Sequence, residues 1–185
     1  RLNTKLMLKL IYGNRSAPCS WEISQTQQFL DEMCQRYFGE IYQLRYEKIT
    51  HKGRKIFRGY DDNIVLYLPR RIGLDELALI GYEILPGEKD IRIYQIQGAS
   101  SENVSRLKEK LPLHWQDNLV KTTMDLANAL EMRTIRIVRA QSLSEFTRPW
   151  IVYSDDPELK QQQKARHQDT LKRNYNGTAH RLKFT

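Results

Sequence analysis

The chain has 185 residues and is 40% hydrophobic, enough for one ordinary core and short for two full domains. No run approaches the roughly 18 apolar residues a bilayer-spanning helix needs, so no membrane span is expected. Two cysteines and four scattered histidines make neither a disulfide framework nor a zinc pattern, and the formal net charge of +8 points to anionic partners.

Opening on Arg1 rather than Met, the chain reads as a fragment boundary followed by a strand or short helix. A reduced, cytoplasmic setting is the expectation for Cys19 and Cys34. The first clear helix starts near Trp21, with Ser24 and Gln27 spaced as a capping box. Phe29, Leu30, Met33, Cys34 and Tyr37 then recur at helical spacing, and Gly39 stops the run. Cys34 falls on that apolar face and reads as a core residue, not a nucleophile.

From Ile41 the period changes. Tyr42, Leu44 and Tyr46 alternate with polar residues as in a half-buried strand. Residues 55–60 and 64–68 read as further strands, with Asp61, Asp62 and Asn63 as the turn between them. Residues 75–85 read as a strand with a helical lead-in. Pro86–Asp90 is a turn that closes a hairpin onto a strand over Ile91–Gln97. Beyond Gly98, Ser100 or Ser101 caps a short helix through Leu111, which Pro112 limits. A longer helix over 114–132 carries Leu119, Val120, Thr123, Leu126, Ala127 and Leu130 on one face. Thr134–Val138 is a strand, and a polar helix follows from Pro157 to about Asn174. A helix between two strands of one sheet sets them roughly parallel. The expectation is a single α/β (α+β) domain with a mixed, largely antiparallel sheet and flanking helices.

One junction carries candidate chemistry. Strand, glycine, small polar residues and helix occur in order over Gln95–Ser101, and backbone N–H groups at a helix start favour anions. With a single glycine the stretch is neither a P-loop nor a dinucleotide fingerprint. On composition alone it reads as a strand end followed by serine caps.

The stretch from Gln95 to Ser100 resembles the pyrophosphate motif of the GNAT acyltransferases, Q/R-x-x-G-x-G/A. Gln95 and Gly98 match, while Ser100 stands where the motif ends in Gly or Ala. The element order over residues 76–185 is similar too, as is a C-terminal helix carrying a tyrosine. Lys183 replaces the glycine of the family's ending, and residues 101–113 separate the motif from the main helix. The Ile96–Gly98 stretch, a long loop, a helix and a strand also resemble the VirK/YbjX-type proteins.

What the GNAT resemblance implies is acyl transfer from acetyl-CoA or another acyl-CoA to an amine. Gln95, Gly98, Ala99, Ser100 and Ser101 would hold the cofactor's pyrophosphate, and the basic C-terminal helix its 3′-phosphate. Glu83, on the preceding strand, would be the base and Tyr175 the acid. Read as residues alone, Glu83 is an outward strand residue and Tyr175 a packing aromatic. A nuclease-like set pairing Glu83 with Glu88, Asp90 or Lys89 fits poorly with the hairpin turn.

The rival reading is a non-catalytic domain that binds nucleic acid or a protein. Residues 160–183 hold seven cations (Lys160, Lys164, Arg166, Lys172, Arg173, Arg181 and Lys183) against one acid, Asp169. Cations contact phosphates, and the chain's ten tyrosines and three tryptophans offer stacking surfaces.

Overall fold

The computed structural model describes residues 20–48, 62–85, 88–98, 104–143, 146 and 154–184. The chain divides into two compact units between Ile135 and Arg136.

Unit 1 is a sheet covered by helices. Helix α1, Ser20–Tyr37, buries Phe29, Leu30, Met33 and Cys34, the face that the helical spacing marks. Residue 20 is already helical, so position 24 lies inside the helix and not at its start. Its last turn closes where the N–H groups of Phe38 and Gly39 both donate to Cys34 O.

The strands are β1 (Gln43–Lys48), β2 (Asp62–Pro69), β3 (Leu74–Leu85) and β4 (Asp90–Gly98). Each pairs antiparallel with the next. A fifth strand, β5 (Thr134–Ile137), lies beside β4 and makes the sheet mixed. The expected turn at Asp62–Asn63 is strand instead, because both residues pair with β1 and β3. The expected strand over 55–60 lies outside the described residues. Residues 74–85 are strand throughout, with no helical lead-in. Ile64, Val65 and Leu66 on β2 and Leu77–Ile80 on β3 are buried on both faces, so these strands read as continuous apolar runs.

The turn between β2 and β3 spans Arg70–Gly73, closed by Arg70 N–H donating to Gly73 O at 3.1 Å. Gly73 has φ 86°, a conformation that strains any residue with a Cβ. Two bulges interrupt the pairing. Leu77 is the extra residue on β3 and Tyr94 the extra residue on β4. A bulge bends its strand and re-aims the neighbouring side chains.

Helix α2 (Val104–Lys108) is shorter than expected and ends before Leu111. Helix α3 (Trp115–Ala129) buries Leu119, Val120, Thr123, Leu126 and Ala127, and Leu130 just beyond it, the face that the sequence marks. Burying such a side chain fully is worth roughly 1.5–3 kcal/mol. Polar contacts join α3 to α1. Asp125 Oδ2 accepts from the Tyr37 hydroxyl at 2.8 Å and from Arg36 at 3.2 Å, and Asn118 donates to Tyr37 O at 2.7 Å.

Unit 2 holds a 3-10 turn at Ala140–Ser142, helix α4 (Pro157–Lys172), a π-turn (Arg173–Gly177) and helix α5 (Thr178–Arg181). Asp156 caps α4, its Oδ1 accepting from the N–H groups of Glu158 and Leu159 at 2.9 and 3.1 Å. Pro157 at the first helical position needs no such partner. The expected end near Asn174 is a change of helical type, with the chain still helical to Arg181. Among the described residues, no helix is long and apolar enough to cross a membrane.

Candidate functional site

Two regions bear on function, one in each unit. The first is the β3–β4 hairpin and the end of β4. Asp90 opens β4 and is fully buried. Its Oδ2 accepts from Arg92 Nε at 2.9 Å and its Oδ1 from the Thr134 hydroxyl at 2.7 Å. Arg133 and Thr134 donate their N–H groups to Lys89 O at 2.7 and 3.2 Å. These bonds tie the start of β5 to the start of β4. Asp90 is therefore a structural clamp, which argues against its use in a nuclease-like set.

Glu83 is an exposed residue of β3, paired in register with Arg92. Its carboxylate accepts from the Tyr94 hydroxyl at 3.3 Å. Gln95 is 8% exposed and donates its amide to Gln97 Oε1 at 2.6 Å. Gly98 ends β4 opposite Ala78. A Cβ at Gly98 would meet Trp115 at 3.6 Å and Leu111 at 3.7 Å, which is ordinary contact. Protein therefore already covers that side of Gly98. Ala99, Ser100 and Ser101 lie outside the described residues.

Sequence reasoning missed a polar row in the middle of the sheet. Asn63, Gly81 and Gln95 face one another across β2, β3 and β4. A Cβ at Gly81 would lie 2.9 Å from Asn63 Oδ1 and 3.2 Å from Gln95 Oε1. The glycine leaves the space that the two buried amide side chains fill. A lone glycine inside an apolar strand run was the available signal.

The second region is unit 2. Tyr175, the expected acid, sits in the π-turn and is only 3% exposed. It fits the packing role better than contact with a substrate in solvent. Glu83 and Tyr175 belong to different units. Near Tyr175, Asn176 Oδ1 accepts from Ala140 N–H at 3.0 Å and its amide donates to Gln141 at 3.1 Å.

Helix α4 buries only Leu171. Lys160, Lys164, Arg166, Lys172, Arg173, Arg181 and Lys183 are all exposed. His167, on the same helix, is half-buried. Spacing sets Lys160 and Lys164 on one side of the helix, and Arg166 and Arg173 on another. The charge thus surrounds the helix and leaves no single reading face. Lys172 lies 3.7 Å from Asp169 and 5.8 Å from the Phe146 ring centroid.

Among the described residues, no three His, Cys, Asp or Glu side chains converge as a metal site. Asp61 lies outside the described residues, and Asp156 is used as a helix cap. His114 is exposed, with a left-handed backbone (φ 57°), immediately before α3. Burial pushes the Cys34 thiol up to about 11, only partly offset by a backbone hydrogen bond at Leu44, so it is no nucleophile at neutral pH. Compared with protein-family models, curated proteins and solved structures, the chain matches none of them.

Proposed function

We propose that the protein is a non-catalytic, cytoplasmic nucleic-acid-binding module that contacts phosphates through unit 2. The observation that carries this reading is the exposure of all seven cations between Lys160 and Lys183, four of them on α4, a helix with a single buried side chain. Their spread around α4 suits sequence-independent contact, since phosphate contacts position a chain without reading bases. Binding of a labelled single-stranded RNA should weaken steeply with salt. Five phosphate contacts give a log–log slope of about −3 to −4. A slope near zero would rule the reading out.

A second reading is acyl transfer on a GNAT-like scaffold. The hairpin that leads into β4, with Gln95 and Gly98 at its end, supports it. Gln95, Gly98 and the following residues 99–101 would take the pyrophosphate of acyl-CoA, with Glu83 as base. Protein cover on Gly98 and the burial of Tyr175 weigh against it. Acetyl-CoA at millimolar concentration should raise the melting temperature by mass action if this reading is right. An unchanged melting temperature would remove it.

A further inference from the structure

Four large apolar side chains stand exposed among the described residues, and three of them lie at one end of unit 1. These are Ile41 (66% exposed), Ile72 (91%) and Leu113 (82%). The register of the sheet puts them there. Gln43 pairs with Tyr67 and Pro69 with Leu74, so Ile41 and the Arg70–Gly73 turn leave the sheet at the same end. β4 runs toward that end too, because Gly98 pairs with Ala78 near the start of β3. Leu111 and Trp115 cover Gly98, which brings the loop holding Leu113 to the same place. The hydroxyl of Tyr42, next to Ile41, donates to Lys110 O at 3.0 Å and ties two of the loops together.

Single exposed apolar residues are ordinary on a protein surface; a cluster at one end is not. Each of the three stands on its own loop. Arg71 precedes Ile72, and Arg106, Lys108 and Lys110 precede Leu113. Among the described residues of these loops, two exposed carboxylates, Glu40 and Glu109, oppose the four cations. Asp75 is already held in an ion pair by Arg70. A folded protein partner packs its interface core on a contiguous apolar face, whereas these tips stand on three separate loops. Separate apolar tips within a cationic surround suit the boundary of a bilayer. There apolar atoms enter the acyl region while Lys and Arg meet lipid phosphates.

We propose that this end of unit 1 docks peripherally on an anionic phospholipid surface, with Ile41, Ile72 and Leu113 inserted and Arg71, Arg106, Lys108 and Lys110 against the headgroups. The contact is in the plane of the interface. It is independent of the nucleic-acid reading, which concerns the other unit.

The test uses the full chain and vesicles of phosphatidylcholine, with or without phosphatidylserine. Because the cations of α4 also attract anionic vesicles, insertion is read at the tips themselves. An environment-sensitive dye on Ile72→Cys or Leu113→Cys, in a Cys19→Ser background, should shift to shorter wavelength with phosphatidylserine vesicles. The same dye on Leu159→Cys, an exposed position of α4, should not shift. The triple variant Ile41→Ser, Ile72→Ser, Leu113→Ser should lose at least tenfold in vesicle partitioning. All three sites are exposed, so its melting temperature should stay within a few degrees of the parent. Dyes that stay solvent-exposed at 72 and 113 while vesicles bind would overturn the proposal and leave α4 as the lipid contact. A triple variant that partitions like the parent would overturn it as well. No vesicle binding, with the same three substitutions abolishing association with a protein, would assign this end to a protein partner instead.

Discussion

The two units are ordered by different means. In unit 1, β2 and β3 bury apolar residues on both faces, β4 buries Ile91, Ile93 and Ile96 on one, and α1 and α3 add apolar stripes of their own. Its polar contacts include Asp90 at the start of β4, Asp125 between α1 and α3, and the buried amides of Asn63 and Gln95 around Gly81. In unit 2, α4 buries one leucine and relies on its cap, with polar ties such as Gln168 Nε2 donating to Phe146 O at 2.9 Å and Gln163 accepting from Ser154 N–H at 3.0 Å. Burial supplies most of a fold's stability, so a surface helix with one buried side chain leaves its charges available to a ligand. On the proposed nucleic-acid reading, the buried apolar residues of unit 1 supply stability and the exposed cations of unit 2 supply the phosphate contacts.

The contrast is easiest to break at a core leucine. Leu119→Ala should cost about 2–5 kcal/mol in urea unfolding, because the site is fully buried in α3. Leu171→Ala should instead remove amide protection within α4 and leave the amides of β3 protected. Equal loss in both places would mean that the two units unfold as one. Gly81→Ala should cost about 1–3 kcal/mol, because the new Cβ must displace Asn63 or the bulged strand. Asp156→Ala should cost roughly 1 kcal/mol locally, read as lower helicity of α4, since two N–H groups lose their acceptor.

The smallest effect is a pH dependence in unit 1. The Cys34 thiol is raised in the folded chain to about 11 from an ordinary value of 9.0, chiefly by burial. The unfolded chain therefore loses its proton first. This contribution is fully present below about pH 9 and is lost as pH rises toward 11. The difference in unfolding free energy between parent and Cys34→Ala should be flat from pH 6 to 8 and narrow above pH 9. A difference that stays constant to pH 11 would place the thiol in contact with solvent.

Much of unit 1 is legible in the sequence because its elements bury apolar residues at regular spacing. The faces of α1 and α3 and the hairpin into β4 follow from periodicity and turn residues. The errors fall where pairing overrides local preference. Asp62 and Asn63 look like a turn but are held in β2 by two neighbours. The bulges at Leu77 and Tyr94 have no composition of their own. Of the candidate site, the exposed cations of 160–183 follow from charge alone. The polar row around Gly81 does not, because it depends on register across three strands that no local pattern records. The π-turn that buries Tyr175 is hidden for the same reason: its residues read as helix end, and only packing reveals the continuation.

The most direct measurement is fluorescence anisotropy of a labelled single-stranded RNA, titrated with the full chain and with a variant carrying Gln at Lys160, Lys164, Arg166, Lys172 and Arg173. All five positions are exposed, so the variant should keep the parent's melting temperature. The account predicts at least a hundredfold loss of affinity at low salt and a nearly flat salt dependence for the variant. A variant that binds as tightly as the parent, with the same salt slope, would contradict it and move the anion-binding surface out of unit 2.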